Sequence, residues 1–174
     1  MLLRHAKAGA AGDTGDDHAR ILTERGRDDA GRMGVFMRKA GFEPNAVLCS
    51  TAARTIHTWT VVQAELSRDV PALFVDALYL APASRIFSTI RTIAPQDASA
   101  VLVIGHNPGL GDSARDLAGT PQDAATRERA AYLAEKFPTC ALAVFDCAIA
   151  NWKDLTPKTG ILLQVIRAKD LRNP

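Results

Sequence analysis

Short apolar runs alternate with longer segments of helical periodicity along this chain of 174 residues. The clearest run covers residues 100–104, which are all apolar and mostly β-branched. A run of this kind is typical of a strand buried on both faces, as in a parallel sheet. Further strands are predicted at 2–3, 46–49, 73–75, 141–146 and 161–166.

Helices are predicted between these strands, at 22–40, 52–66, 84–93, 110–118 and 123–136. The first has Gly41 as its stop, and its expected core contacts are Leu22, Ala30, Met33, Val35, Phe36 and Met37. Strands that alternate with helices predict an α/β fold with a mainly parallel central sheet and helices on both faces. The length suits a single domain over residues 1–174.

Composition argues against two classes of partner. The formal net charge is +2 and no long basic run is present, so a nucleic-acid-binding surface is not expected. No apolar run approaches the roughly 20 residues of a membrane helix, and no segment resembles a signal peptide.

The three cysteines, Cys49, Cys140 and Cys147, are odd in number and lack metal-binding spacing. They favour free thiols in a reducing cytoplasm.

Chemically active side chains follow four of the predicted strands. Arg4 and His5 end the first, Arg54 comes shortly after the second, Asp76 ends the third and His106 ends the fourth. In open α/β sheets, ligands bind beyond the carboxyl ends of the strands. Arginine forks bind phosphate oxygens, and histidines can attack phosphorus or donate protons. Each residue alone has an ordinary surface explanation, but their joint placement predicts a phosphoryl site.

Motifs spread over nearly the whole chain resemble the histidine phosphatase superfamily, in its SixA-type form. They are Leu-Arg-His-Ala at 3–6, Leu-Thr-Glu-Arg-Gly at 22–26, Ser-Thr-Ala-Ala-Arg-Thr at 50–55, Val-Ile-Gly-His-Asn-Pro at 103–108, and Lys-Phe-Pro-Thr at 136–139 followed by Trp152. Ala6 stands where the superfamily commonly has glycine, which SixA-like members tolerate. Only three residues precede Arg4, so the first strand is expected to be short or the chain to start further upstream.

The resemblance implies a phosphoglycerate-mutase-like fold, which is a three-layer αβα sandwich, and a phosphatase that forms a phosphohistidine intermediate. His5 would be the nucleophile, and Arg4, Arg54 and His106 would bind the phosphate. Asp76 is the nearest match to the acid of related enzymes. No metal or other cofactor is implied. The arginines would also oppose protonation of His5, which must be neutral to attack.

Several alternatives stay open at this point. The substrate would be a phosphohistidine protein, or a small phosphate ester hydrolysed at the same site. A mutase is disfavoured because the chain is short and has no insertion to enclose a diphosphate. A non-catalytic domain that binds a phosphorylated ligand is also possible. A metal site from His5, His106 and Asp76 is disfavoured because two nearby arginines would repel a cation.

The remaining polar residues near these motifs receive ordinary structural interpretations. Asp16, Asp17 and Arg20 are expected to order the loop after His5 through local ion pairs, each worth under about 1 kcal/mol if exposed. His18 and His57 are expected on the surface or on a helix face.

Overall fold

The computed structural model describes residues 1–11 and 15–172. Within this part of the chain one sheet is formed by six strands, which are β1 (Leu2–Arg4), β2 (Ala46–Cys49), β3 (Ala72–Phe74), β4 (Val101–Gly105), β5 (Leu142–Cys147) and β6 (Gly160–Ile166). The helices are α1 (Glu24–Lys39), α2 (Ala53–Gln63), α3 (Ala83–Ile93), α4 (Gly109–Leu117) and α5 (Ala124–Glu135). Short 3-10 turns cover Asp76–Leu78, Trp152–Asp154 and Ala168–Leu171.

The sheet has the strand order β3-β2-β4-β1-β5-β6. The first four of these strands pair in parallel. β5 is antiparallel to both of its neighbours, so β6 again runs in the direction of β1. The prediction of a mainly parallel sheet is therefore confirmed.

Both faces of the sheet are covered by helices. Leu2, Leu48 and Val103 pack on one face with residues of α3, α4 and α5. The alternate residues Leu3 and Leu102 pack on the other face with residues of α1 and α2. Successive side chains of a strand point to opposite faces, so each central strand needs apolar residues on both. The three-layer αβα arrangement is confirmed.

The structure shifts the ends of the predicted helices by a few residues. The pattern placed the start of α1 at Leu22, but the helix begins at Glu24 because the Thr23 hydroxyl accepts a hydrogen bond from the backbone of Gly26 at 3.0 Å. Beyond the other end, Gly41 has a positive φ of 72°, which glycine adopts without strain. Of the expected core residues, Leu22, Ala30, Met33 and Met37 are buried, whereas Val35 and Phe36 are half-buried.

The first strand has three residues, so it is short, as expected from the few residues that precede Arg4. All three cysteines have free thiols, and only Cys147 is partly exposed. Among the helices of the described residues, none has the length and apolar character needed to cross a membrane.

Candidate active site

Parallel pairing brings the two predicted histidines together. In the β1–β4 pair Arg4 lies opposite Gly105, so His5 and His106 leave the sheet side by side. The backbone N–H of His5 donates to the carbonyl of Gly105 at 3.1 Å. The imidazole centroids are 5.3 Å apart, and both residues are buried. Strand register alone therefore places two histidines at the carboxyl edge of the sheet.

Arg54 reaches the same edge from the first turn of α2. The connection between β2 and α2 is short, so the second residue of the helix lies close to the end of the strand. Only 2% of Arg54 is exposed, and its Nη2 donates to Nδ1 of His106 at 3.2 Å. An arginine on an early helical turn is usually a surface residue, but this guanidinium lies inside the site.

Arg4 is held by the segment that precedes β5. Its Nη1 donates to the carbonyl of Phe137 at 3.0 Å, and Asn107 Nδ2 donates to the same oxygen at 2.7 Å. Within the described residues, the buried Nε atoms of Arg4 and Arg54 have no hydrogen-bond partner. Buried donors normally find acceptors, and guanidinium groups favour oxyanions. Both arginines are therefore suited to bind a phosphoryl group.

The hydrogen-bond partners of the two rings decide where each imidazole carries its proton. His5 Nδ1 lies 2.8 Å from the carbonyl of Ala6, which can only accept, so Nδ1 bears the hydrogen and Nε2 has a free lone pair. Arg54 can only donate, so Nδ1 of His106 accepts. The hydrogen of His106 is therefore on Nε2, which donates to Oγ of Ser50 at 2.8 Å.

Burial keeps both rings uncharged. Burial, together with the positive charges of Arg54 and Arg4, lowers the pKa of His5 to about 4, against an ordinary value of 6.5. The hydrogen bond to Ala6 opposes this shift. The pKa of His106 is likewise lowered to about 3, mainly by burial, and His5 and Arg54 act in the same direction. At neutral pH the Nε2 of His5 is therefore available as a nucleophile.

Asp17 lies in the site, although its sequence context indicated only a local ion pair. That pair exists, with Arg20 Nη1 at 2.8 Å from Oδ1 of Asp17. Oδ2, however, lies 2.9 Å from Nη2 of Arg54 and accepts a hydrogen bond from the Tyr79 hydroxyl at 2.8 Å. The hydrogen bonds from Arg20 and then Tyr79 hold the pKa of this carboxyl well below its usual range.

Tyr79 is the site residue that sequence reasoning missed. Its ring contacts His106 edge-on with 5.4 Å between centroids, and Cζ of Arg54 lies 5.8 Å from its centroid. The available signal was its position in the segment that follows the third strand, three residues after Asp76. His18, expected on the surface, is half-buried against this tyrosine and hydrogen-bonds to Thr51 at 3.1 Å.

Asp76 occupies a different position from the other predicted residues. It begins the 3-10 turn Asp76–Leu78, its side chain is exposed, and its backbone carbonyl accepts from the N–H of Tyr79 at 2.9 Å. It is not one of the residues that line the cavity in front of His5. A role as proton donor stays a prediction.

The cavity in front of His5 has a volume of about 350 Å³. Its lining residues are mainly polar or cationic, and they are Arg4, His5, Lys7, Ala8, Asp17, Arg20, Arg54, Leu80, His106, Asn107 and Thr139. Within residues 1–11 and 15–172 no three His, Cys, Asp or Glu side chains are grouped in a way that could hold a metal. The excess of cationic groups suits an anionic ligand.

No family model matches this chain. An uncharacterised protein of Mycobacterium tuberculosis strain H37Rv is 36% identical to it over 162 residues, which cover 92% of this chain and 96% of that protein. An uncharacterised protein of Mycobacterium leprae is 32% identical over 166 residues, with the same shares of the two chains.

Solved structures give the more informative comparison. A protein of Nakamurella multipartitia, assigned as a phosphohistidine phosphatase SixA, has a TM-score of 0.78 at 29% identity and covers 95% of this chain and 94% of its own. A protein of Agrobacterium tumefaciens with the same assignment has a TM-score of 0.76 at 26% identity, with 95% of both chains covered. The protein histidine phosphatase SixA in complex with tungstate shares the fold, with a TM-score of 0.77 at 20% identity over 98% of this chain and 97% of its own.

Proposed function

Because this chain belongs to the SixA-type phosphohistidine phosphatases of the histidine phosphatase superfamily, we propose that it removes the phosphoryl group from phosphohistidine on a protein such as a phosphotransfer domain. Its reaction class is phosphatase, and it is therefore a hydrolase. The observation that carries the proposal is the state of His5. A buried, uncharged ring is fixed through Nδ1 with its Nε2 lone pair free, beside two arginines.

The proposed reaction has two steps. In the first, Nε2 of His5 attacks phosphorus, and the bond from phosphorus to the leaving group breaks. In the second, water attacks the phosphorylated His5, inorganic phosphate leaves, and the lone pair returns to Nε2. Arg4 and Arg54 line the same cavity as His5 and can balance the charge of the phosphoryl oxygens as each transition state forms, and His106 holds Nη2 of Arg54 beside them.

Phosphohistidine as the substrate follows from the chemistry of the leaving group. An alkoxide leaves poorly unless an acid protonates it, whereas the imidazole of phosphohistidine is protonated readily near neutral pH. Asp76, the predicted acid, is exposed and outside the lining of the cavity. Asp17, the carboxyl inside it, has a strongly lowered pKa and is a poor donor. A substrate that needs no strong acid suits this site.

A small phosphate ester is the second candidate substrate. The cavity volume of about 350 Å³ lies within the range that holds small organic ligands and exceeds the needs of a bare phosphoryl group. The same two-step chemistry would apply to an ester with a good leaving group.

Turnover of two substrate classes tests the proposal. The first is a phosphotransfer domain phosphorylated on histidine, and the second is a panel of alkyl and aryl phosphates. We expect a higher kcat/KM on phosphohistidine than on alkyl phosphates. A wild-type protein that is inert on phosphohistidine and fast on alkyl phosphates would support the small-molecule phosphatase instead.

The role of His5 has its own test. Radioactive substrate should give wild type an acid-labile, base-stable label, which His5→Ala should lose together with nearly all turnover while keeping its fold. A label that persists in His5→Ala would exclude His5 as the nucleophile.

Asp76→Asn separates two roles for that carboxyl. If Asp76 donates the proton, the substitution should slow hydrolysis of an alkyl phosphate far more than hydrolysis of phosphohistidine, because only the alkoxide needs the acid. The two kcat/KM values are measured in the same buffer. Equal losses on both substrates would mean that Asp76 shapes the site without donating the proton.

A further inference from the structure

Arg54 divides its hydrogen bonds between two neighbours. Nη1 donates to the backbone carbonyl of Asp17 at 2.5 Å, and Nη2 donates to the carboxylate of the same residue at 2.9 Å. The terminal edge of the guanidinium is therefore held by Asp17. The other edge, which carries Nε and the second hydrogen of Nη2, faces His106, and Nε has no partner among the described residues.

Asp17 is itself held in place by its surroundings. Arg20 Nη1 and the Tyr79 hydroxyl donate to the carboxylate at 2.8 Å each, in addition to Arg54. The next residue, His18, is tied to α2, because its carbonyl accepts from the N–H of Ala53 at 2.9 Å. A phosphoryl group that displaced Asp17 would break several charge-assisted hydrogen bonds at once. This anchoring favours a carboxylate that stays in place during the reaction.

We propose that Asp17 is a positioning residue, which holds the terminal edge of Arg54 so that the opposite edge, with its unpartnered Nε–H, faces the phosphoryl group beside His106. Arginine donors form a rigid planar fork, so fixing one edge fixes the direction of the other. The inference rests on the proposed phosphoryl site, and it assigns to Asp17 a function that a surface ion pair would not have.

The charge balance of the site supports this arrangement. With both histidines neutral, the lining of the cavity carries four cations, Arg4, Lys7, Arg20 and Arg54, and one carboxylate, that of Asp17, which leaves a net charge of +3. This positive charge is complementary to a phosphoryl dianion. Asp17 therefore holds Arg54 in place while the site stays cationic overall.

The test compares Asp17→Asn with Asp112→Asn. Asp112 is a matched control, because it also pairs with an arginine three residues later, at 2.5 Å, and its side chain is 47% exposed against 44% for Asp17. On para-nitrophenyl phosphate we expect Asp17→Asn to lower kcat on the order of 10- to 100-fold with little change in KM, as for a misplaced catalytic group. Vanadate, a transition-state mimic, should lose more affinity than phosphate. Asp112→Asn should behave as wild type.

A double-mutant cycle with Arg54→Lys separates positioning from a general structural effect. If Asp17 acts through Arg54, Asp17→Asn should change kcat less than about 2-fold in the Arg54→Lys background. Tyr79→Phe, which removes one donor to Asp17, should show a smaller loss than Asp17→Asn. Thermal unfolding of each variant identifies any that fail to fold.

Three results would overturn the proposal: an unchanged kcat in folded Asp17→Asn, additive losses in the cycle, or tighter binding of phosphate and vanadate by Asp17→Asn. The last would mean that Asp17 competes with the substrate for Arg54. Failure of the proposed function is distinguishable, because it would appear as a His5→Ala variant that keeps its turnover.

Discussion

At the scale of single residues, Ser50 accepts the one N–H that His106 carries, on Nε2. The serine is fully buried, and its Oγ is the partner of the Nε2 hydrogen. Removal of this hydroxyl leaves a buried N–H without an acceptor, which costs roughly 1–3 kcal/mol. It also frees the ring to lose its orientation toward Arg54.

We therefore predict that Ser50→Ala lowers both the free energy of unfolding and kcat. Ser113→Ala is the control, since Ser113 is as deeply buried but donates to a helix carbonyl, that of Gly109, at 2.8 Å. Denaturant unfolding and turnover of para-nitrophenyl phosphate measure the two quantities. Identical behaviour of the two variants would show that the hydroxyl of Ser50 does not hold the ring.

The lowered pKa values of His5 and His106, about 4 and about 3, predict a direct spectroscopic result. Both rings should stay neutral throughout the range in which free imidazole titrates, about pH 5 to 8. In a proton NMR titration, the ring signals that disappear in His5→Ala and in His106→Ala should be the ones that do not shift over this range. A mid-range titration of either signal would mean that the site is better solvated than its burial indicates.

At the scale of elements, α1 packs closely against the segment that follows His5, and the closest contact is at Gly26. A Cβ on Gly26 would lie 2.1 Å from the carbonyl oxygen of Lys7, whereas a Cβ on Gly31 would meet nothing nearer than 3.8 Å. The close contact explains why the Leu-Thr-x-x-Gly motif ends in glycine. It packs the first turn of α1 directly on the backbone that follows the nucleophile.

Gly26→Ala and Gly31→Ala form a matched pair within this helix. We predict that Gly26→Ala destabilises the protein by about 1–3 kcal/mol and lowers kcat, because the backbone of Lys7 must move. Gly31→Ala should stabilise it by roughly 0.5–1 kcal/mol, as alanine is the better helix residue. Denaturant unfolding measures both. Similar effects of the two substitutions would contradict the close approach.

At the scale of the whole molecule, the last described residues are tied to α1 by an ion pair between the partly exposed Arg172 and the buried Asp29. Arg172 donates to both carboxylate oxygens of Asp29, at 2.7 and 2.9 Å, and the Asp29 side chain is 6% exposed. A second and more distant cation near Asp29 is Arg25, whose Nε lies 3.9 Å from the carboxylate Oδ2. Loss of one partner of a buried pair leaves a desolvated charge.

Arg172→Ala should therefore lower the free energy of unfolding by about 1–3 kcal/mol, the cost of leaving a buried acceptor without its donor. Arg115→Ala, which breaks the exposed pair with Asp112, should cost less than about 1 kcal/mol. Both are read from chemical denaturation, and turnover below the unfolding transition should stay near wild type. Equal costs would mean that the Asp29 carboxylate is rehydrated when its partner is removed.

Stability of the whole chain should also depend on the site histidines. In the unfolded chain they titrate near the ordinary value of 6.5, and in the folded protein near 4 and 3. Between these values the unfolded state binds more protons, so their contribution to stability is lost as pH falls from about 6.5 toward 4. The slope of unfolding free energy against pH should be smaller in His5→Ala over this window. An unchanged slope would contradict the shift at His5.

The sequence by itself determined which segments are strands and helices, and it predicted which strand ends carry chemically active side chains. The apolar run at 100–104 and the helical periodicity of 22–40 are local patterns, and local patterns record which side of an element is buried. The rule for strand ends then selected Arg4, His5, Arg54, Asp76 and His106, because parallel strands end at one edge whatever their order.

Tertiary structure alone decided how those residues interact and which others join them. Asp17 and Tyr79 are 62 positions apart, and they meet at Arg54 because two loops with no shared periodicity close over one edge of the sheet. The proton position of His106 depends in the same way on a partner from another element, Arg54, which can only donate to Nδ1. Such contacts follow from strand order, register and loop path, which are properties of the packed chain and are not encoded in any single segment of it.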